Sequence, residues 1–151
     1  MRYKITFDEA KCVACGACAV ACMDQNDIQA EEGQLPLRRT FTKESRLHPE
    51  ETFGYYSHAC EHCDDAPCIP ACPSGCLFKD PDTGFTVFDT TNCIGCRSCA
   101  FACPHGAPTM GLDGKMLKCD GCSQRVKAGL LPACVAVCPF DALTLEESYN
   151  P

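Results

Sequence analysis

The sequence contains no tryptophan, no run of basic residues and no apolar stretch near the roughly 18 residues that a membrane-spanning helix needs. Its net charge of −7 argues against nucleic acid as the main partner. The first residues, MRYKITFDEA, lack the apolar segment of a secretory signal peptide. We therefore expect neither a signal nor a membrane anchor, and without evidence of an oxidising compartment a disulfide framework is disfavoured.

Motifs for catalysis are also missing. The chain has no phosphate-binding glycine loop, no Ser-His-Asp arrangement and no pair of carboxylates suited to acid–base catalysis. The hydrophobic fraction of 46% includes 17 cysteines, so the other apolar residues can form only a thin core for 151 residues. Disulfides or bound metal usually stabilise chains of this kind. The cysteines therefore carry the chemistry.

All but one of the cysteines fall into four groups of four. The first and third groups share the spacing C-x2-C-x2-C-x3-C, and KITFDEAKCVACGACAVAC aligns without a gap on FTVFDTTNCIGCRSCAFAC. The second and fourth groups align when one loop is allowed to vary in length. The order of motifs is thus A-B-A-B, which predicts an internal duplication of a two-motif unit.

The spacing of the cysteines helps to decide between disulfides, structural zinc and iron–sulfur clusters. Structural zinc usually takes two cysteine pairs separated by a longer loop, so the fourth group could form a zinc site by itself, whereas the first and third groups do not suit one. The A motif has the spacing of bacterial ferredoxins, in which three cysteines ligate one [4Fe–4S] cluster and the fourth ligates a neighbouring cluster. Proline follows Cys72, Cys103 and Cys138, as in that pattern, whereas methionine follows Cys22. We therefore predict iron–sulfur clusters.

Because the fourth cysteine of a motif crosses over, the groups must combine in pairs. The sequence LFKDPDTGFTVFD predicts a β-hairpin that brings the second and third groups together, which leaves the first and fourth groups to meet across the chain. Cys76 aligns with Ala142 and is predicted to be a buried thiol that binds no cluster. The predicted ligand sets are Cys12, Cys15, Cys18 and Cys138 (site 1); Cys22, Cys119, Cys122 and Cys134 (site 2); Cys60, Cys63, Cys68 and Cys103 (site 3); and Cys72, Cys93, Cys96 and Cys99 (site 4).

These pairings predict an α+β fold of two nested, bacterial-ferredoxin-like lobes related by internal duplication, with short strands and helices around four clusters. The outer lobe combines residues 1–22 and 104–151, and the inner lobe covers residues 60–103. Residues 23–59 lack cysteine and are predicted to be an insertion with one or two strands. This insertion is either a docking segment for a partner or an ordinary solvated cover.

Several residues between the ligands have predicted roles. Gly16, Gly95 and Gly121 are expected to adopt positive φ angles and so to direct backbone N–H groups at sulfur. A looser hairpin is predicted in APTMGLDGKMLK. His62, inside CEHC, is the histidine expected to contact a cluster environment. Arg97, Lys118 and Arg125 lie beside predicted ligands. They either have a functional role, raising a cluster potential or forming a salt bridge with a partner, or are simply solvated charges.

The motifs CEHCDDAPCIPACPSG, TGFTVFD, CIGCRSCAFACPHGAP and KCDGCSQRVKAGLLPACVAVCP resemble the four-cluster iron–sulfur subunits of molybdopterin oxidoreductases, the family of the dimethyl sulfoxide reductase iron–sulfur subunit. The resemblance implies a non-catalytic subunit that relays single electrons. Its partners would be a molybdopterin (bis-guanine dinucleotide) catalytic subunit and a membrane quinone subunit or another donor. Some relatives replace one third-group cysteine by tryptophan and carry a [3Fe–4S] cluster. The complete cysteine set here implies four [4Fe–4S] clusters.

Two other functions are compatible with so many cysteines. A self-contained reductase would need an open coordination site or a second cofactor, and the full set of ligands offers no obvious vacancy. The alternative function is a free-standing polyferredoxin that diffuses between partners. The insertion argues against this alternative, because it suggests fixed docking to one partner. The expected location is the cytoplasm, or the membrane or periplasm after co-export with a catalytic partner.

Overall fold

The structure of the protein, a computed structural model, describes residues 2–44 and 54–148. Within these residues the fold is α+β and built from short strands and helices, as predicted. No helix in this part of the chain is both long and apolar enough to cross a membrane. The strands are β1 Arg2–Phe7, β2 Arg39–Lys43, β3 Gly54–His58, β4 Leu77–Lys79, β5 Thr86–Phe88, β6 Thr109–Met110, β7 Met116–Leu117 and β8 Leu143–Ser148. The helices are α1 Ala17–Gln25, α2 Cys68–Ala71, α3 Ser98–Ala102, α4 Ser123–Lys127 and α5 Ala133–Ala136, with a 3-10 turn over Ala30–Glu32.

An antiparallel ribbon joins the first and last strands of the described chain. Apolar and polar residues alternate along β1, which is the pattern of a strand with one buried face. Strand β1 pairs with β8 along its whole length, and Ile5 and Phe7 pack around the buried Leu143. Cys18 of α1 and Cys134 of α5 belong to the same small core, because these two helices pack against each other. The first and fourth cysteine groups therefore meet, as the crossover of ligands requires.

The hairpin predicted between the second and third groups is confirmed. Strands β4 and β5 pair antiparallel, with Leu77 opposite Phe88. Asp80 shapes the turn, since its Oδ1 accepts the N–H groups of the residues two and three positions further on. Helices α2 and α3 pack against each other, and they bring Cys68 and Cys99 into one core with Leu77.

The looser hairpin predicted in APTMGLDGKMLK is present as the pair β6–β7. The predicted insertion, residues 23–59, contains two paired strands, β2 and β3, also as predicted. Its Ile28 and Leu37 are buried against Cys22 and so cover the region of the fourth cysteine group. Residues 45–53 of this insertion lie outside the described part of the chain, as do residues 1 and 149–151 of the predicted outer lobe.

The two A motifs have the same local hydrogen bonds. The Asp8 N–H donates to the Ala142 carbonyl at 2.8 Å, and the aligned Asp89 N–H donates to the Cys76 carbonyl at 2.9 Å. In each copy the aspartate carboxylate also accepts the N–H two residues further on. The acceptors Cys76 and Ala142 are themselves aligned in the B motifs. Each A motif is therefore attached to a B motif at equivalent positions, and the two B-motif residues are equally buried.

Candidate cluster-binding sites

A left-handed residue opens each of the four cysteine loops. It stands two positions after the first cysteine of the group, and its φ angle lies between 48° and 72°. In three of the four loops its N–H lies 3.4–3.5 Å from the sulfur of that first cysteine. Such N–H···S bonds partly neutralise a thiolate and hold it in place. The four residues are Ala14, His62, Gly95 and Gly121.

The predicted positive φ angles of Gly16, Gly95 and Gly121 are confirmed, and Gly121 makes the predicted N–H···S bond, to Cys119. Sequence reasoning missed Ala14 and His62, since residues with a Cβ disfavour this conformation by roughly 1–2 kcal/mol. Aligning the four groups on their first cysteine could have predicted this conformation. The alignment places Ala14 and His62 at the same position as Gly95 and Gly121.

Site 1 is a cavity lined by the four predicted cysteines Cys12, Cys15, Cys18 and Cys138. About 330 Å³ of space there is not filled by protein atoms, part of it open to solvent. Three of the thiols come from the first group and one from the fourth. Burial alone would raise the pKa of Cys138, but N–H groups of the following loop, from Phe140 onward, hold that pKa below its ordinary value. This loop therefore favours a thiolate at Cys138.

Site 4 is a second cavity, lined by the predicted cysteines Cys72, Cys93, Cys96 and Cys99. Here the crossing cysteine is Cys72, which comes from the second group. Burial again acts to raise the pKa of Cys72, and backbone N–H groups of the following loop outweigh it, so that the pKa is lowered. Backbone N–H groups of the following loop thus lower the pKa of both Cys72 and Cys138, two of the four cysteines that cross between groups.

Site 2 combines the buried Cys22 and Cys134 with the half-buried Cys119 and Cys122. Burial raises the pKa of Cys22 to about 11, and the neighbouring Cys119 and Cys134 raise it as well. Burial also raises the pKa of Cys122 to about 12, again with contributions from Cys119 and Cys134. Four thiolates in so small a volume repel one another unless a cationic iron core lies between them.

Site 3 brings together cysteines of the second and third groups. Burial raises the pKa of Cys60, and Cys68 and Cys103 act in the same direction. Cys103 also contributes to the raised pKa of Cys68, after burial. Cys63, the fourth predicted ligand, packs against the core that contains Cys68. All four predicted sets thus consist of cysteines that the fold brings into one neighbourhood.

The donor sets fit iron–sulfur clusters better than single metal ions. Within residues 2–44 and 54–148, no three Cys, His, Asp or Glu side chains converge closely enough to hold one metal ion. In sites 1 and 4 the four thiols instead border a space between them. An all-cysteine set around a space is the arrangement that a [4Fe–4S] cluster requires.

Cys76 is buried, as predicted, with 3% of its surface exposed. It borders site 4, and its N–H donates to the Cys72 sulfur at 3.3 Å. Burial raises the pKa of the Cys76 thiol to about 11, and hydrogen bonding to Cys72 adds to the effect. Hydrogen bonding between the two residues thus raises the pKa of Cys76 and lowers that of Cys72.

His62 contacts cysteines of two groups. Its N–H donates to the Cys60 sulfur, and its Nε2 lies 3.7 Å from the Cys119 sulfur. Burial, followed by the charges of Lys118 and others, lowers the pKa of His62 well below its ordinary value, so the ring is neutral. Because Nδ1 accepts the Thr86 N–H, the ring hydrogen is on Nε2 and points to Cys119. His62 therefore contacts predicted ligands of two sites, Cys60 and Cys119.

Four ferredoxin-type loops, each of which presents thiols toward a site shared with another loop, define an iron–sulfur protein of the ferredoxin type. In agreement, a family model for the 4Fe-4S dicluster domain matches residues 52–148. The chain is 40% identical over 151 residues to the probable anaerobic dimethyl sulfoxide reductase chain YnfG of Escherichia coli (strain K12). That alignment covers 94% of this chain and 72% of the relative.

Two further relatives from the same organism are similar over a comparable length. A second anaerobic dimethyl sulfoxide reductase chain is 40% identical, with 94% of this chain and 72% of that protein covered. Protein NrfC is 34% identical over 153 residues, with 100% of this chain and 68% of that protein covered. The protein therefore belongs to the 4Fe–4S dicluster family, within the group of dimethyl sulfoxide reductase iron–sulfur subunits. It is an electron-transfer protein whose cofactors are [4Fe–4S] clusters.

Proposed function

We propose that this protein is the non-catalytic subunit of a molybdopterin oxidoreductase complex that relays single electrons through four [4Fe–4S] clusters. It would connect a molybdopterin (bis-guanine dinucleotide) catalytic subunit with a membrane quinone subunit or another redox partner. The observation that carries this proposal is the crossover of ligands: Cys72 lines a site with third-group cysteines, and Cys138 lines a site with first-group cysteines. When bound, the clusters accept and release one electron each.

The proposed ligand sets are those of sites 1 to 4, with Cys76 as a non-ligand. Four of the five helices, α1, α2, α3 and α5, each connect two sites, because the two cysteines in or just after the helix are four residues apart and belong to different sets. Residues four apart on a helix lie on the same face, about 6 Å apart along the axis. The helix pairs α1–α5 and α2–α3 pack together and thereby hold sites 1 and 2, and sites 3 and 4, side by side.

Sites 2 and 3 are connected by residues that contact both. His62 lies against Cys60 of site 3 and Cys119 of site 2. The side chain of Lys118 approaches Cys60 as well, and its own backbone precedes Cys119. The resulting order of sites is 1, 2, 3, 4, which supports a continuous path for electrons rather than two separate pairs.

The same contacts support two nested lobes that arose by internal duplication. The proposed outer lobe, residues 1–22 with 104–151, contains sites 1 and 2, and the proposed inner lobe, residues 60–103, contains sites 3 and 4. Equivalent hydrogen bonds at Asp8 and Asp89 support the duplication. In the inner lobe, the β4–β5 hairpin occupies the position that the β1–β8 ribbon has in the outer lobe.

The chain's own contribution is to hold thiolates and to set their electrostatic environment. Backbone N–H groups stabilise the thiolate form at Cys72 and Cys138, while buried cations approach the thiols between the sites. Protein partners are inferred from the relatives, two of which are named as chains of dimethyl sulfoxide reductases. The location follows the partner: the cytoplasm, or the membrane or periplasm after co-export.

The proposal predicts about 16 iron and 16 sulfide per chain in anaerobically purified protein, the content of four [4Fe–4S] clusters. Size-exclusion chromatography of native extract should show the protein co-eluting with molybdenum in a large complex. An iron content near eight would contradict the four-cluster assignment. A stable, fully loaded monomer would instead support the free polyferredoxin and overturn the subunit role.

A further inference from the structure

Arg38 is a buried cation that the sequence does not distinguish from its neighbours. It precedes β2 in the insertion, but only 5% of its surface is exposed. Its Nη1 donates to the Ser57 hydroxyl at 3.2 Å and approaches the Ser57 carbonyl at 3.5 Å. Its Nε is buried without a hydrogen-bond partner. In residues 2–44 and 54–148, no carboxylate forms an ion pair with it.

A guanidinium keeps its charge inside a protein, and a buried charge without an opposite charge is strongly unfavourable. The groups that face Arg38 are thiols. Burial acts to lower the pKa of Arg38, but Cys134, Cys119 and Cys18 raise it, so that its pKa is above the ordinary value. Cluster-bound thiolates at these cysteines would therefore supply the opposite charge for Arg38.

The cysteines around Arg38 belong to two different sites. Cys119 and Cys134 are in the proposed set of site 2, and both are near enough to Arg38 to affect its pKa. Leu37, which directly precedes Arg38, packs in one buried cluster with Cys22 of the same set. Cys18 is in the proposed set of site 1, and its sulfur lies 3.4 Å from the Ser57 hydroxyl that Arg38 contacts. The guanidinium therefore lies between sites 1 and 2 and is linked to both.

We propose that Arg38 is the counter-charge shared by the clusters of sites 1 and 2, and that it raises the reduction potential of both. This inference rests on the proposed ligand sets. A [4Fe–4S] core with four thiolates carries about −2, and uptake of one electron from the redox partner makes it about −3 with no bond broken. A fixed cation in a water-poor position stabilises the more negative state more strongly, which favours reduction.

The proposal also assigns a role to the insertion. Ile28 and Leu37 anchor this segment against Cys22, and Leu37 directly precedes Arg38. Strands β2 and β3 pair so that Thr40 lies opposite Ser57, which holds the hydroxyl beside the guanidinium. The buried part of the insertion thus delivers a cation to two sites whose ligands lie elsewhere in the sequence.

The test is an EPR-monitored redox titration of the purified complex that carries Arg38→Gln, with Arg38→Lys and Arg39→Gln alongside. Arg38→Gln should lower the midpoint potentials of two of the four clusters and leave the other two unchanged. Arg38→Lys keeps the charge and should restore most of the shift. Arg39→Gln removes a more exposed charge one residue away and should change none. Four unchanged potentials in a fully loaded Arg38→Gln protein would overturn the proposal.

Loss of iron from the Arg38→Gln protein is also decisive. If the cation is needed to retain two clusters, iron should fall from about 16 to about eight per chain, and Arg38→Lys should restore it. Equal loss in both variants would indicate a packing role and contradict the inference. The wild-type iron content is measured in the same series. Failure of the four-cluster assignment would therefore appear in the wild type, whereas failure of this inference would appear only in the variants.

Discussion

Lys118 Nζ lies 3.7 Å from the Cys60 sulfur, although 58 residues separate the two in the sequence. The lysine is 1% exposed, and its Nζ also donates to the carbonyl oxygens of Thr86 and Cys119. The β4–β5 hairpin and the fourth cysteine group therefore enclose an ammonium at the boundary between sites 2 and 3. Of the two interpretations open for Lys118 from the sequence, a solvated charge is excluded by this burial.

Lys118→Met should lower the potentials of the clusters at sites 2 and 3, since methionine keeps much of the volume and removes the charge. The lost donor also leaves two buried carbonyls unpaired, at a cost of about 1–3 kcal/mol each. EPR-monitored redox titration and urea unfolding measure the two effects. Lys115→Met is the matched control, because its Nζ contacts the Thr91 carbonyl at the exposed edge of the fold and no cysteine of the described residues. Unchanged potentials in a fully loaded Lys118→Met protein would contradict the expected role.

Cys72→Ala and Cys76→Ala should differ in iron content although the residues are four apart. Cys72→Ala should lose the cluster of site 4 or convert it to [3Fe–4S], a loss of about four or about one iron per chain. Cys76→Ala should keep the wild-type iron content, because the aligned residue of the other repeat is alanine in an equally buried position. Iron and sulfide assays with EPR of the oxidised protein measure both. A loss of iron from Cys76→Ala would show that the thiol is a ligand.

The sequence was sufficient to predict which cysteine groups meet, and the reason is geometric. A tight cysteine loop can wrap only around a nearby centre, and the DPDTG turn returns the chain so that Leu77 lies opposite Phe88. Once the second and third groups are neighbours, the first and fourth have only each other to meet. The ribbon that joins them, β1–β8, confirms that they do.

The buried cations could not be predicted in the same way. Arg38 stands in a charged stretch, and nothing in that stretch indicates burial, because the groups that face Arg38 are cysteines from distant segments. The left-handed conformation of Ala14 and His62 could not be predicted from local sequence either. Residues with a Cβ disfavour positive φ angles, but here each residue directs its N–H at a cysteine sulfur, which overrides that preference.

Gly121→Ala should be strongly destabilising. A Cβ at this position would lie 2.4 Å from the ring of Phe85, which is fully buried, and the φ angle of +72° adds backbone strain. Gly129→Ala is the matched control, since Gly129 has a φ of +76° and open space around it. Both variants share the strain of about 1–2 kcal/mol, and Gly121→Ala should cost about 1–3 kcal/mol more. Thermal unfolding followed by cluster absorbance measures the difference, and equal melting temperatures would exclude the clash.

Asp80→Asn should lower stability by about 2 kcal/mol at pH 7. The buried carboxylate accepts from Lys127 Nζ at 2.6 Å and from the Ser123 hydroxyl at 2.7 Å. Burial opposes its ionisation, but these bonds and backbone N–H groups outweigh burial and lower the pKa to about 2. Because the folded pKa is depressed, the stabilisation is complete above the unfolded value of about 4 and is lost as pH falls toward 2.

Urea unfolding at pH 7 and at pH 5.5 should therefore give the same difference in stability between the wild type and Asp80→Asn. The exposed Asp82→Asn is the control and should cost under about 1 kcal/mol. A difference that shrinks between those two pH values would contradict the depressed pKa.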